Sequence, residues 1–246
     1  LQQALEQSLY SESTTWRHNG QDYINVTSET MANRVVSEVL DETYDQAPRV
    51  LNELINQEKL SSSVNTSRKV LFRALLERST APQLGFNPDK FPAEKSIFLS
   101  TWDREKLYDW RSGQLKLPKK NSSYQSAWAV GEEFLAQAKG GKVSLSGLVN
   151  RLREAPFGMK QGLLNYWVPL FLMTKEDEFA LYYTPENKYL PYLSIDIFES
   201  IIRTPEHFAV KALNIQGVSQ ATLNQYRELA QIDPNRTSTQ STYLGI

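Results

Sequence analysis

The chain has 246 residues, enough for one large domain or two small ones, and its 40% apolar and 22% charged residues describe an ordinary globular protein. A net charge of -1 gives no bulk electrostatic case for nucleic acid or acidic lipid, and the lack of cysteine excludes disulfides, thiolate nucleophiles and cysteine-based zinc sites together. The longest strongly apolar run, residues 166–173, falls far short of the roughly 20 residues that cross a bilayer, so no membrane contact and a cytoplasmic setting are expected.

Charge is uneven along the chain. Residues 1–47 carry two basic against eight acidic side chains and residues 104–153 carry ten against four, which places any nucleic-acid contact away from the N-terminal part. Leu1, Leu5 and Leu9 have helical spacing, and Asn19-Gly20 marks a turn between two short extended pieces. Thr27 or Ser28 caps a helix reaching about Tyr44, with Val35, Val36, Val39 and Leu40 inward and Glu38, Asp41, Glu42 and Asp45 outward. Pro48 opens a short helix over residues 49–56, and Ser61-Ser62-Ser63 caps another over 64–78. Three successive helices with short turns predict a helix-turn-helix-like unit. On its third helix Thr66, Lys69, Arg73 and Glu77 share one side while Val64, Leu71 and Leu75 share the other, and residues 61–79 hold four basic side chains against one acidic.

Leu84, Phe86 and Phe91 imply a packed loop over residues 81–92, followed by a helix over about 94–107. Gly113, Pro118 and the pair Lys119-Lys120 mark residues 111–123 as a linker. Beyond it come a helix at 124–138, a strand at 143–145, a helix at 146–153, the turn Ala155-Pro156-Phe157-Gly158, a helix at 160–174, and strands at 179–183 and 189–193. That order predicts a winged helix with a β-hairpin wing. A helix at 195–203, a strand at 208–215, a last helix at 219–231 and a mobile tail complete the reading. The expected fold class is mainly α, of α+β type: a helical domain over 1–110 with the helix-turn-helix-like unit, the linker, a winged-helix domain over 124–232, and the tail over 233–246.

Reactive constellations are sparse. Gly140-Gly141-Lys142-Val143 lacks the first glycine and the final hydroxyl of a phosphate loop and reads as a turn, so no nucleotide or other cofactor is expected. Asp177 with Glu186-Asn187-Lys188 matches in outline the acid and E-x-K with which one nuclease fold holds Mg²⁺, and it supplies the enzymatic alternative. Its E-x-K lies beside Pro185 at a hairpin tip, where a solvated turn is the simpler reading, as it is for Glu176 and Glu178. His18 and His207 lack a second ligand at metal spacing, and no G-x-S-x-G elbow is present.

A helix that enters the major groove must show polar side chains to base edges. Residues 160–174 offer Leu163, Leu164, Tyr166, Trp167, Val168, Leu170, Phe171, Leu172 and Met173, apolar on every side, with Pro169 removing a backbone donor. This second unit is therefore expected to be structural or to contact protein. Duplex DNA, if bound, falls to the first unit through Ser62, Asn65, Lys69 and Arg73, joined by Lys119 and Lys120. A pure protein-interaction scaffold is the third reading.

Two sets of segments resemble a known family. Residues 44–48, 52–56, 60–62 and Pro92-Ala93-Glu94-Lys95-Ser96-Ile97 resemble the helical region that follows the ATPase core of very large prokaryotic P-loop proteins. Residues 155–162, Ala180-Leu181-Tyr182-Tyr183 and Leu190-Pro191-Tyr192-Leu193 resemble the winged-helix part of the same proteins, the phage-defence ATPases of the BREX type (the BrxC and PglY group). The resemblance covers about residues 44–210 and rests on packing and turn motifs. It implies a fragment of an ATP-driven, DNA-linked defence machine that joins other subunits or domains of its system. No phosphate loop is present for an ATP-binding residue to be carried onto. The start at Leu1 without methionine and the Ser/Thr-rich end carry the same expectation of a piece of a longer protein.

Overall fold

Four helices begin where a serine side chain accepts a backbone N–H two or three residues on: Ser28 from Met31, Ser61 from Val64, Ser144 from Ser146 and Ser194 from Ile197. Each cap satisfies a donor that the first helical turn leaves without a partner. The computed structural model describes residues 8–11, 14–23 and 26–213. Most of the helix expected at 1–9, the helix at 219–231 and the tail from Asp233 lie outside the described residues. The architecture is mixed α+β, and the chain divides into two compact units between Gln46 and Ala47.

In the first unit, β1 (Trp16–His18) pairs antiparallel with β2 (Gln21–Tyr23). Asn19 (φ 47°) and Gly20 (φ 80°) both take the left-handed conformation that a two-residue hairpin turn requires. Helix α1 (Glu29–Thr43) follows. Its apolar stripe is less covered than its spacing predicts: Ala32 is buried, whereas Val36 and Leu40 are exposed. A hairpin of two three-residue strands has too little apolar surface to cover a 15-residue helix.

The second unit opens without the helix expected at 49–56. Asn52 prevents it: its side chain accepts from Leu54 N at 3.0 Å and donates to Ser100 Oγ at 2.9 Å, while its carbonyl accepts from Ile55 and Asn56. This side-chain competition for the backbone turns the chain locally instead of propagating a helix. Helix α2 (Ser62–Glu77) therefore has no helix immediately before it, and α1 belongs to the other unit. The three-helix arrangement read from the sequence is not formed.

Helix α3 (Ala93–Phe98) continues into a wider π-type turn, Leu99–Asp103. Strands β3 (Tyr108–Asp109) and β4 (Gln114–Leu115) then make a small antiparallel hairpin against the end of α2. The Tyr108 hydroxyl donates to the Ser79 carbonyl, and a Cβ on Gly113 would lie 2.7 Å from the Ser79 backbone. Residues 111–123 lie inside the second unit. The Glu105 carboxylate accepts from Ser122 Oγ at 2.5 Å and from Ser123 N at 3.2 Å, which ties that segment down.

The remaining elements are α4 (Gln125–Gln137), β5 (Val143–Ser144), α5 (Leu145–Arg153), α6 (Gln161–Thr174), β6 (Phe179–Tyr183), β7 (Lys188–Leu190), α7 (Ile195–Arg203) and β8 (Phe208–Ala212). The expected order of helix, strand, helix, helix, strand, turn, strand is present. The sheet is entirely antiparallel in the order β5-β8-β6-β7, so β8 lies between β5 and β6 and the β6–β7 hairpin lies at one edge.

Helix α6 is the centre of this unit. Every residue from Gly162 to Leu172 is buried, Pro169 included. Trp167 and Phe171 stack at 5.1 Å between ring centres, and Trp128 of α4 meets Phe171 edge-on at 5.2 Å. The α4–α6 approach is close enough that a Cβ on Gly131 would sit 2.3 Å from the Phe171 ring. The N-terminus of α6 is covered by residues 55–58. Gly162 N donates to the Gln57 carbonyl at 2.8 Å, Gln161 N to Glu58 Oε2 at 3.2 Å, and Lys160 Nζ to the Asn56 carbonyl at 3.2 Å. No helix among the described residues is long and apolar enough to cross a membrane.

A Cβ on Gly162 would lie 2.5 Å from both the Gln57 and the Ile55 carbonyl oxygens, whereas one on Gly147 meets nothing within 4 Å. Gly162→Ala is therefore expected to cost about 1–3 kcal/mol. Gly147→Ala, inside α5, is expected to gain about 0.5–1 kcal/mol from its higher helix propensity. Thermal and urea unfolding of the two variants beside the parent chain checks both signs.

Candidate interaction surface

Helix α2 carries four of the six residues nominated for nucleic acid. Its buried side holds Val64, Leu71 and Leu75, as the spacing predicts, together with Phe72. The Phe72 ring touches Trp102 at 6.0 Å, Tyr166 at 5.8 Å and Phe198 at 5.4 Å between centroids, which fixes α2 against α6 and α7.

Arg68, which is not among those six, is the basic residue of α2 that does not reach the surface. The sequence counts it toward the local positive charge, but its side chain is 3% exposed and faces the interior. Its Nε and Nη2 donate to Glu199 Oε1 of α7 at 3.2 and 2.7 Å, and its Nη1 donates to Asn65 Oδ1 at 2.9 Å. Asn65 in turn donates from Nδ2 to the Leu60 carbonyl at 3.3 Å, so both ends of its carboxamide are engaged within the fold. Lys69 is exposed, with Nζ 3.5 Å from Glu199 Oε2. Ser62 and Arg73 are exposed on the outer side of α2. Arg78, at the end of the helix, lies over the Phe86 ring at 5.9 Å. The cationic surface of α2 thus reduces to Lys69 and Arg73. Lys119 and Lys120 are exposed as well, in the segment before α4 rather than on α2.

The acid and E-x-K constellation is pulled apart. Asp177 precedes β6, whereas Glu186 and Lys188 follow it at the hairpin tip, where Asn187 takes φ 50°. A five-residue strand between them corresponds to roughly 16 Å at about 3.3 Å per residue. One divalent cation cannot be shared across that span. Among the described residues no three His, Cys, Asp or Glu side chains are grouped to hold a metal.

Lys142, from the turn that imitates a phosphate loop, donates to Asn187 Oδ1 at 2.5 Å and lies 3.7 Å over the Tyr182 ring, which binds that turn to the hairpin. His207 meets the Tyr183 ring edge-on, and His18 Nε2 lies 3.0 Å from Asn19 Nδ2. Comparisons with protein-family models, with curated proteins and with solved structures found no match to this chain.

One feature has no counterpart among the sequence expectations. Helices α5, α6 and α7 leave between them a groove of about 480 Å³. Its lining includes Asn150 and Arg153 of α5, Gln161 and Asn165 of α6, and Arg203 of α7. The Asn165 carboxamide, 8% exposed, lies 2.8 Å from that of Gln161 and 3.3 Å from Arg68 Nη1. Arg153 donates to Gln161 Oε1 at 2.6 Å and to Glu58 Oε1 at 2.5 Å. The sequence does hold one signal for it: Asn165 is a polar residue in the middle of an otherwise apolar helix.

Removing one partner of a buried ion pair strands the other, at about 3–5 kcal/mol, whereas replacing both by apolar groups is often close to neutral. Arg68→Met is expected to unfold at markedly lower urea than the parent, and Arg68→Met with Glu199→Leu to recover most of that stability. Separately, burial, together with the Asp177 charge beside it, pushes the Glu176 carboxyl up to about 7. A carboxyl raised in the fold contributes stability below the ordinary carboxylate range and loses it as pH rises through about 7. Glu176→Gln should therefore raise the thermal midpoint at about pH 8 and leave it nearly unchanged at about pH 4.

Proposed function

We propose that this chain is a non-catalytic assembly module of a large prokaryotic phage-defence ATPase, working in the cytoplasm. In this reading the part from residue 124 is a winged-helix unit, extended by β8, whose would-be recognition helix is turned inward. The observation that carries the proposal is the burial of α6 from Gly162 to Leu172 with residues 55–58 seated on its N-terminus. A helix so enclosed has no face left for a major groove, and burying each of its large side chains is worth about 1.5–3 kcal/mol to the fold. The role left to such a unit is to hold other subunits or domains of the parent machine. The family resemblance of residues 44–210 supports the same setting.

A second reading is duplex contact, favoured by the exposure of Ser62, Lys69 and Arg73 on one side of α2. Fluorescence anisotropy with a labelled duplex at about 50 and 200 mM salt separates the readings, since phosphate contacts weaken steeply over that range. For assembly alone, duplex binding stays in the non-specific range of about 10⁻⁴–10⁻⁶ M and Lys160→Ala leaves it unchanged. For duplex contact through α2, Lys69→Ala with Arg73→Ala weakens binding and lowers the salt slope by about one for each phosphate that is no longer neutralised. Tight binding that Lys160→Ala abolishes would put the start of α6 on DNA and end the inward-facing reading. Plasmid kept with Mg²⁺ or Mn²⁺ should stay intact, and nicking would show a catalytic centre instead.

A further inference from the structure

We propose that the groove between α5, α6 and α7 docks an extended peptide segment of a partner protein in which aliphatic and acidic side chains alternate. The inference rests on the assembly reading and names the partner chemistry that would serve it. The groove is of ligand-site size, since such sites occupy about 300–1,000 Å³ and combine an apolar lining with a few placed polar groups.

Val149, Leu164, Val168 and Ile201 lie buried beneath the groove, and the half-buried Ile202 and Pro205 supply the apolar surface that remains open on its floor. Its polar members are carboxamides and guanidinia. A carboxamide presents one acceptor and a pair of donor hydrogens, which match the C=O and N–H that every residue of an extended peptide offers. Of the three carboxamides in the lining, those of Gln161 and Asn165 are engaged with Arg153, Arg68 and each other, which leaves the exposed Asn150 to meet the peptide backbone. An extended chain sends successive side chains to opposite faces, so an aliphatic residue can enter the floor while its neighbours reach the rim.

The charge at the rim selects what those neighbours are. Arg203 is exposed, and its Nε donates to the Glu199 main-chain carbonyl at 3.1 Å. Among the described residues it has no carboxylate within salt-bridge range. Arg153 shares its charge with one carboxylate, Glu58. Guanidinium groups bind carboxylates through paired, charge-assisted hydrogen bonds, so Arg203 draws the acidic residue and Arg153 reinforces it. A nucleic-acid backbone would satisfy the arginines but leave the aliphatic floor without an occupant.

The test uses fluorescein-labelled Leu-Glu-Ile-Asp-Leu-Glu and its uncharged counterpart Leu-Gln-Ile-Asn-Leu-Gln, titrated with the full chain and followed by anisotropy. The acidic peptide should bind more tightly than the neutral one. Arg203→Ala and Asn150→Ala, both at exposed positions, should weaken it by about tenfold or more, while Lys119→Ala leaves it unchanged. Equal affinity for the two peptides, indifference to both groove variants, or no binding would overturn the proposal. Displacement of the peptide by duplex DNA with the same Arg203 dependence would make the groove a polyanion site and overturn it too. None of these failures touches the enclosure of α6, which the Lys160→Ala duplex titration tests on its own.

Discussion

The second unit depends on the seating of residues 55–58 against the start of α6. Helix N-termini carry unsatisfied amide donors and a partial positive charge, and are ordinarily open to anions or to a phosphate backbone. Here those donors are consumed internally by the Gln57 carbonyl and the Glu58 carboxylate. The contact spans more than a hundred residues of sequence, and only glycine at 162 leaves space for the carbonyls that make it. Beyond that start, α6 can be apolar all round without leaving a greasy face in water because Phe72 of α2 and Trp128 of α4 pack along it. The seating of residues 55–58 also brings Glu58 to Arg153 and so sets one rim of the groove.

The Arg68–Glu199 pair has a complementary part. It sits beside the aromatic cluster of Phe72, Tyr166 and Phe198, and it links α2 to α7 with defined geometry where aliphatic packing would permit sliding. It also accounts for the modest positive charge of α2's outer side, since a carboxylate that neutralises Arg68 lies within reach of Lys69 as well.

Much of the architecture is legible in the sequence, for reasons that differ by element. Helix α6 and strand β6 can be placed almost to the residue because a dense apolar run between polar ends admits few alternatives. Helix α7 is equally plain from Ser194 and its amphipathic spacing. Residues 49–56 mislead because Pro48, a favourable first helical residue, outweighs in one dimension an asparagine whose partner Ser100 is 48 residues away. The β3–β4 hairpin escapes because its strands are two residues long and held by Ser79, again remote in sequence. Arg68 counts as surface charge in the sequence since nothing local announces Glu199. The groove is invisible for the same reason: its lining comes from three helices, and only their packing assembles it.

The placing of β8 bears on how the molecule can be made. Val210 faces Val143 on one side and Leu181 on the other, so the last described strand is the one that joins the sheet's two halves. While the ribosome has delivered only the chain through α7, the β6–β7 hairpin can close but β5 has no neighbour, and two rows of backbone donors and acceptors stand open to any passing strand. Completion of the sheet therefore waits on a pairing that reaches back more than sixty residues, a slow, late step during synthesis. A nascent chain of this kind is most exposed to aggregation just before that strand emerges.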